Sequence, residues 1–278
     1  MPETSAALPS YEAERLHLIG AAIEAGHAVL PLFRDKSLDV WKKSDASPVS
    51  EADIRANQVL REALVTESWR DYGWLSEESR DTAERIDKAR TFIVDPIDGT
   101  RAFVRGDDRF AICLAVCDDG RAIASVIYAP ARDELYSASL GGGAFLNGEP
   151  IASSGATILD DCRMVGQARM FAHPRWPRRW PEMEVTYVNS TSYRMAMVAA
   201  GACDATIALT PKADWDAAPG SLIAEEAGAR ASDHLGRPFR FCQKEPVQPG
   251  LVCAAAPLYP HVLQRLAHLP ANLRTIQT

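Results

Sequence analysis

Two aspartates directly follow an apolar, strand-like run in the stretch TFIVDPIDGTRAF. The run ends at Asp95, and Asp98 comes three residues later, just before Gly99 and Thr100. Pro96 disfavours a helical conformation at Asp95 and keeps it extended. Two close carboxylates repel each other unless one is protonated or a cation lies between them, and oxygen ligands suit Mg²⁺ better than Zn²⁺. The stretch predicts a magnesium site, although a helix cap at Asp98 and a turn at Asp95 remain open as a structural alternative.

The residues after Gly99 favour an anion site next to this acidic pair. The string TRAFV predicts a helical turn, and the free backbone N–H groups at a helix start bind negative charge. We expect Asp95 to point out of a sheet edge beside that helix start. Because the chain is acidic overall, a phosphate is expected there only together with a cation such as a metal ion.

Further acidic residues occur in two other segments. LSEES places Glu77 and Glu78 after an apolar run, and ADWDAAPGSL places Asp214 and Asp216 at a predicted helix start. Each of these acids alone is typical of a solvated loop or a helix N-cap. Their occurrence together with DPIDGT favours a shared metal site.

The periodicity of apolar residues predicts the elements that must position these acids. We predict helices over 14–33, 50–64, 190–202, 215–229 and 259–269, with Leu16 and Ile54 among the apolar positions of the first two. We predict strands over 37–43, 91–95, 110–116, 122–129, 204–210 and 250–256, and a hairpin at Asn147-Gly148. Interleaved helices and strands imply a layered α/β sandwich. A polar, small-residue stretch near 149–155 predicts a boundary between an N-terminal domain (1–150) and a C-terminal domain (151–278).

Composition and charge narrow the class of protein. The chain has 278 residues, 47% of them hydrophobic, and a formal net charge of −7, which gives no reason to expect a nucleic-acid or membrane partner. We expect no signal peptide and no membrane span, and hence a cytoplasmic location. The six cysteines form no CxxC pair and are expected to be buried free thiols. The six histidines form no HExxH, so a zinc site is not expected.

The acidic segments together resemble the inositol monophosphatase superfamily of Mg²⁺-dependent, lithium-sensitive phosphomonoesterases. The resemblance depends on SEE at 76–78, DPIDGT at 95–100 and WDAAPG at 215–220, and it covers almost the whole chain. It implies an αβαβα sandwich, two or three Mg²⁺ ions and a small phosphate ester as substrate. Members of this family commonly form homodimers.

The resemblance also implies a role for each matching residue. Glu77, Asp95 and the backbone carbonyl of Ile97 would bind one Mg²⁺. Asp95, Asp98 and Asp216 would bind a second, and Asp216 would also lie against the substrate. Glu77 would help to retain a third ion through water.

The same resemblance implies the catalytic pair and the phosphate contacts. Asp53, paired with Thr100, would orient and deprotonate the attacking water, a role compatible with helix capping by Asp53. The N–H groups of Gly99 and Thr100 would bind phosphate oxygens. Glu78 is expected near the site or in solvent, and Asp214 is expected on the surface.

The segments that flank these motifs bear on the substrate. KSDASPVSEAD, SEE and FVRGDDRFAICLAV resemble the 3'(2'),5'-bisphosphate nucleotidase branch, which implies substrate contacts by Ser192 and Arg194. The glycine that the branch has before its serine pair is absent here. Arg194 could instead be a surface ion-pair partner, and Arg101 and Arg105 could bind a second phosphate or be solvated. Inositol monophosphatase, histidinol-phosphate phosphatase and a regulatory binder without turnover remain alternatives.

Overall fold

A computed structural model describes residues 11–43, 47–174 and 176–267. The helices are α1 (Glu12–Val29), α2 (Glu51–Leu64), α3 (Thr100–Arg105), α4 (Ala168–Phe171), α5 (Thr191–Ala199), α6 (Asp214–Glu226) and α7 (Tyr259–Leu266). The first eight strands are β1 (Val40–Lys42), β2 (Pro48–Ser50), β3 (Gly73–Ser76), β4 (Arg90–Asp98), β5 (Ala111–Asp118), β6 (Arg121–Ala129), β7 (Glu134–Ser139) and β8 (Gly143–Leu146). The other eight are β9 (Glu149–Pro150), β10 (Arg163–Val165), β11 (Glu184–Thr186), β12 (Ala205–Ala208), β13 (Lys212–Ala213), β14 (Ala229–Ser232), β15 (Val247–Gln248) and β16 (Leu251–Ala255).

Two sheets and three helical layers form the predicted αβαβα sandwich. The first sheet has the strand order β3-β4-β5-β6-β7-β8-β9, and the second has the order β11-β10-β12-β16-β14. Helices α1 and α2 cover the outer face of the first sheet, α5 and α6 pack between the two sheets, and α7 covers the outer face of the second. Two small two-stranded antiparallel sheets pair β1 with β2 and β13 with β15.

The central strand β5 shows why the first sheet is buried on both faces. The residues that face α1 and α2 are large, namely Ile112, Leu114 and Val116. Those that face the layer of α5 and α6 are small, namely Ala111, Cys113, Ala115 and Cys117. An uninterrupted apolar run is therefore required here, and the small side chains allow α6 to approach the sheet closely.

The predicted helices are confirmed, with local differences. The helix predicted over 14–33 ends at Val29 and continues as a 3-10 turn, because Pro31 lacks the N–H group that an α-helix needs. The predicted apolar positions Leu16 and Ile54 are exposed at 56% and 48%. In α2 the other two predicted apolar positions, Leu60 and Leu64, are buried, and Ala52, Asp53 and Ala56 take the place of Ile54 on the buried face. The last two residues of the helix predicted over 259–269 lie outside the described residues.

The predicted strands and the hairpin are found, but eight further strands among the described residues were not predicted, namely β2, β3, β7, β10, β11, β13, β14 and β15. All of these except β7 have only two to four residues, which is too short for a clear alternation of apolar residues. Asn147 and Gly148 have φ angles of 51° and 84° and connect Leu146 to Glu149, as expected for a two-residue hairpin. The sheets are built from segments on either side of residue 150, but α5 and α6 from the second half pack on the first sheet. The domain division remains a prediction.

Two predictions from composition can be compared with the fold. The six cysteines are free thiols, and all but Cys242 are buried. None of the described helices combines the length and apolar character needed to cross a membrane.

Candidate active site

Strand β4 carries two of the predicted metal ligands into the first sheet. Asp95 pairs with Cys113 and Asp98 pairs with Ala111, so β4 has one residue more than β5 between these pairs. Pro96 lies in this bulge, where a missing N–H group is tolerated. We expected Asp95 to point out of a sheet edge, and this prediction is wrong. Strand β4 has neighbours on both sides, and Asp95 is only 1% exposed.

Helix α6 supplies the third carboxylate of the site. Asp216 lies in the first turn of α6, and α6 packs against β4 and β5. One carboxylate oxygen each from Asp95, Asp98 and Asp216 lies within 4.8 Å of the other two. The fold therefore brings together three predicted ligands from two distant segments of the chain.

The N-terminus of α5 holds Asp98 in place. Asp98 Oδ2 accepts hydrogen bonds of 2.7 Å from Ser190 Oγ and from the Ser192 amide, and Oδ1 accepts one of 3.2 Å from the Thr191 amide. These donors and the positive end of α5 favour the ionised carboxylate. Burial, followed by the charge of Asp216, nevertheless raises the pKa of Asp98 to about 6.

Ser192 has a different role from the predicted substrate contact. Its side chain is fully buried, and its hydroxyl donates a hydrogen bond of 2.9 Å to the backbone carbonyl of Asp216. It does not line the cleft that contains the aspartates. Ser192 instead connects Asp98 on β4 to Asp216 on α6, which explains the short distance between these carboxylates.

Asp95 is the carboxylate with the least compensation of its charge. The one hydrogen bond found for it among the described residues comes from the Ile97 amide, at 3.1 Å. Burial, followed by the charges of Glu77, Asp98 and Asp216, raises the pKa of Asp95 well above its usual value. A buried anion among other anions is costly unless a cation joins them. One carboxylate oxygen each from Asp95, Asp98 and Asp216 makes an all-oxygen donor set, which fits a hard divalent metal ion.

Glu77 lines the same cleft but lies outside the group of three aspartates. Its Oε1 accepts a hydrogen bond of 2.7 Å from Lys43 Nζ, which also contacts Glu78 at 2.5 Å. Burial raises the pKa of Glu78 to about 7. For Lys43, burial acts to lower the pKa, but the two neighbouring glutamates outweigh burial, and the pKa of Lys43 is raised. Glu78 is therefore a buried ion-pair partner, and a metal ion at Glu77 would have to compete with Lys43.

The predicted catalytic pair is formed by direct contact. Thr100 Oγ1 donates a hydrogen bond of 2.7 Å to Asp53 Oδ1. The other oxygen, Oδ2, accepts from the amide and hydroxyl of Ser50 at 2.8 and 2.5 Å, so Asp53 also caps α2. Burial, partly offset by these hydrogen bonds, raises the pKa of Asp53. Because Thr100 donates its proton to Asp53, its remaining lone pairs are available to a water molecule in the cleft.

Gly99 connects β4 to α3 at the floor of the cleft. Its φ angle of 102° is one that only glycine adopts without strain. The turn places both Gly99 and Thr100 in the lining of a cleft of about 610 Å³, which also contains the aspartates. The same cleft is lined by the positively charged side chains of Arg101, Arg105, Arg169, Arg194 and Lys212.

Arg194 is neither a surface ion-pair partner nor fully solvated. Its Nε and Nη2 donate hydrogen bonds of 2.6 and 3.1 Å to the carbonyls of Val188 and Asn189. These bonds fix the guanidinium group at the cleft wall. This geometry favours the predicted substrate contact over the alternative of a surface ion pair.

Asp214 is not the surface acid predicted from the sequence. It is fully buried, and it accepts hydrogen bonds of 2.6 Å from the Cys242 amide and 2.8 Å from Gln248 Nε2. These bonds attach the start of α6 to the segment that leads into β15. Asp214 therefore helps to position Asp216 from two residues away.

Sequence reasoning missed several residues of the site. Lys43, Lys212 and Arg169 were not considered, although Lys212 Nζ lies 3.9 Å from Asp216 Oδ2. Ser190 is the N-cap of α5, and its position as the first residue of the predicted helix was a usable signal for this role. Lysines and arginines have no spacing rule that places them opposite a distant carboxylate, so the sequence offered no comparable signal for the other three.

Comparison with known proteins relates this site to a family. Residues 12–269 match the model of the inositol monophosphatase family. An inositol-1-monophosphatase of Rhizobium meliloti is 32% identical over 79% of this chain and 85% of its own length. The 3'(2'),5'-bisphosphate nucleotidase CysQ of Escherichia coli strain K12 is 32% identical over 81% of this chain and 92% of its own. The crystal structure of the extragenic suppressor protein suhB of Bartonella henselae superposes with a TM-score of 0.78 at 27% identity, covering 93% of this chain and all of that one.

Proposed function

This chain belongs to the inositol monophosphatase family of phosphatases, and we propose that it is a Mg²⁺-dependent, lithium-sensitive phosphomonoesterase acting on a small bisphosphate. The preferred substrate in this proposal is a nucleoside 3',5'-bisphosphate, such as adenosine 3',5'-bisphosphate, which would yield AMP and phosphate. The observation that carries the proposal is the convergence of Asp95, Asp98 and Asp216 within 4.8 Å, in one cleft with the Thr100–Asp53 pair.

The donor set supports a site for two or three divalent cations. Asp95 would be shared between ions, with Glu77 and the Ile97 carbonyl on one side and Asp98 and Asp216 on the other. When bound, Mg²⁺ supplies a Lewis acid for the phosphate oxygens and lowers the pKa of water.

The protein's own groups divide the remaining work of the reaction. Thr100 Oγ1 accepts a hydrogen bond from the attacking water, and Asp53, hydrogen-bonded to the same hydroxyl, accepts the proton through it. The raised pKa of Asp53, caused mainly by burial, makes it a stronger base than a solvated aspartate. The amides of Gly99 and Thr100 orient the phosphate oxygens.

The charges along the cleft favour a substrate with two phosphates. The carboxylates and their cations account for the phosphate that is removed. Five further positive side chains line the cleft, including Arg169, Arg194 and Lys212, in a protein whose net charge is −7. Such a concentration of positive charge in one place suits a second anionic group on the substrate. A monophosphate of an uncharged polyol would offer these side chains no second anionic group.

The test is a panel of four phosphate esters assayed with Mg²⁺: adenosine 3',5'-bisphosphate, inositol 1-phosphate, fructose 1,6-bisphosphate and histidinol phosphate. We expect the highest kcat/KM for the nucleotide, and loss of activity in excess chelator, lithium or calcium. If kcat/KM were higher for inositol 1-phosphate or histidinol phosphate than for the nucleotide, that compound's class would replace the nucleotide as the assigned substrate. Absence of turnover on all four would favour a regulatory binder.

Location and assembly are part of the same proposal. Free thiols at all six cysteines support a reducing compartment, in line with the predicted cytoplasmic location. A homodimer is proposed from the family resemblance, and sedimentation of the purified protein would test it.

A further inference from the structure

A second cavity of about 390 Å³ adjoins the cleft and forms what we call the annex. Five residues line both spaces: Gln167, Arg169, Arg194, Thr210 and Lys212. The annex alone is lined by Met170, His173, Ile207, Ala208 and Leu209. Its volume falls in the range of roughly 300 to 1,000 Å³ that small-molecule sites occupy. A ligand held by the aspartates would therefore pass the shared residues before it reached the annex.

One wall of the annex is apolar and is formed at the end of β12 and directly after it. Ile207 and Leu209 lie two residues apart, on the face of the second sheet that packs against α7, and are 1% and 4% exposed. Met170 on α4 packs against the same apolar cluster. The apolar wall is thus formed by Ile207 of β12, by Leu209 directly after β12 and by the flexible, polarisable thioether of Met170.

The wall formed by α4 is fixed by contacts outside the annex. The indole Nε1 of Trp176 donates a hydrogen bond of 2.7 Å to the carbonyl of Met170. The rings of Phe171 and Trp180 meet edge to face at 5.2 Å. A helix of four residues is not stable alone, so these aromatic contacts hold Met170 at the annex before any ligand binds.

The residues shared with the cleft are mainly cationic. Arg194 is fixed by the carbonyls of Val188 and Asn189, and Arg169 Nε is hydrogen-bonded to Gln167 Oε1 at 2.9 Å. Lys212 completes a positive mouth between the metal-binding end of the cleft and the apolar annex. From the cleft inward, the lining is thus acidic at the metal-binding end, basic at the mouth and apolar at the wall of the annex.

We infer that the annex binds the planar heterocyclic ring of the substrate's leaving group, while its cationic mouth binds the second phosphate. This inference depends on the proposed phosphatase function and extends it by assigning Met170, Ile207 and Leu209 to recognition of the ring. An aromatic ring packs favourably on a thioether and on a guanidinium group.

The two other substrate classes fit these surroundings less well. The annex offers a polyol few neutral hydrogen-bond partners, namely Gln167, His173 and Thr210. Hydroxyl groups that face Ile207, Leu209 and Met170 would lose their hydrogen bonds to water, which is unfavourable. The ammonium group of histidinol phosphate would lie beside Arg169, Arg194 and Lys212 and be repelled. A leaving group that combines an uncharged heterocycle with a second phosphate fits both the annex and its cationic mouth.

The experiment compares two bisphosphates that differ only in the ring. One is adenosine 3',5'-bisphosphate, and the other is 1-deoxyribofuranose 3,5-bisphosphate, which has hydrogen in place of adenine and keeps the 2-hydroxyl and both phosphates. For the wild-type protein with Mg²⁺ we expect kcat/KM to be at least about tenfold higher for the nucleotide, as is typical for filling an apolar pocket. In Met170→Ala we expect this ratio to fall about fivefold or more, mainly through KM.

Met183→Ala is the matched control, because Met183 packs against the same apolar cluster but does not line the annex. We expect it to retain the wild-type ratio, and the melting temperatures of both variants identify any general loss of stability. Equal kcat/KM for the two bisphosphates in the wild type, or an unchanged ratio in Met170→Ala, would overturn the assignment of the annex while leaving the phosphatase function intact. Absence of phosphate release from both compounds would instead refute the proposed function.

Discussion

At Asp95, burial and four neighbouring carboxylates all act against ionisation, and one backbone amide is the hydrogen-bond donor found for it among the described residues. Asp98 differs because three donors at the start of α5 compensate its charge. This difference means that a cation in the cleft stabilises Asp95 more than its neighbours. Asp95 is therefore the residue whose charge the site depends on most.

We predict that Asp95→Asn lowers kcat at least about tenfold, a barrier increase of ~1.4 kcal/mol or more, because a neutral amide is a poor ligand for two cations. The rate of phosphate release at saturating substrate and Mg²⁺ measures kcat for this variant. The chelated variant should melt at or above the wild-type temperature, since one repelling charge is gone. Asp119→Asn, at a side chain that is 97% exposed, is the control. More than a tenth of wild-type kcat in Asp95→Asn would argue against a bridging role.

A second prediction concerns the hydroxyl between water and Asp53. Thr100→Val keeps the shape of the side chain but removes the group that donates to Asp53 Oδ1. We expect kcat to fall about 10²- to 10⁴-fold, the usual contribution of general base catalysis, while Thr100→Ser retains most of it. Wild-type kcat in Thr100→Val, measured well below its melting temperature, would exclude the proposed proton path.

At the scale of elements, the site depends on how closely α5 and α6 approach each other. Asp98 is bound by the N-terminus of α5 and Asp216 lies on α6, while Ser192 joins the two by its hydroxyl. Gly220 allows this approach: a Cβ atom there would lie 2.6 Å from Met195 Cβ. The distance between the carboxylates is thus set by helix packing rather than by the motifs alone.

We predict that Gly220→Ala destabilises the protein by about 1 to 3 kcal/mol, because the added methyl group overpacks the interface between the helices. It should also weaken Mg²⁺ binding, since Asp98 and Asp216 would move apart. Gly20→Ala on α1 is the matched control, with no atom within 4 Å of the new Cβ. It should stabilise by roughly 0.5 to 1 kcal/mol. Urea unfolding measures the change in the free energy of unfolding for both variants. An unchanged free energy of unfolding in Gly220→Ala would contradict the packing argument.

At the scale of the whole molecule, the cleft lies where both sheets and the middle helical layer meet. Strand β4 comes from the first sheet, while α5 and α6 connect that sheet to the second. A cation held by carboxylates from β4 and α6 therefore joins parts of the chain that are more than a hundred residues apart. Binding of the ion should therefore raise the free energy of unfolding of the whole protein.

We predict that Mg²⁺ raises the melting temperature by several degrees relative to protein in chelator. A ligand that binds only the native state at a hundred times its Kd adds about 2.7 kcal/mol. Asp95→Asn should remove most of this increase, whereas Asp119→Asn should keep it. Differential scanning calorimetry with and without Mg²⁺ measures the effect. An equal increase in wild type and Asp95→Asn would place the stabilising ion elsewhere.

The sequence by itself determined the longer helices, several of the longer strands, the layered fold and the positions of the acidic motifs. Helix and strand periods are local properties of the chain, so α2, α6, β5 and the Asn147-Gly148 hairpin could be predicted. The capping of α2 by Asp53 was local in the same way, because its partner Ser50 lies three residues away.

Only the tertiary structure decided which distant groups meet. It buried Asp214 against Cys242 and Gln248, turned Ser192 toward the backbone of α6, and paired Lys43 with Glu77. It also placed the annex between α4 and β12. These contacts join segments that have no fixed spacing in sequence. Packing of the complete set of layers selects them, so local patterns carry no information about them.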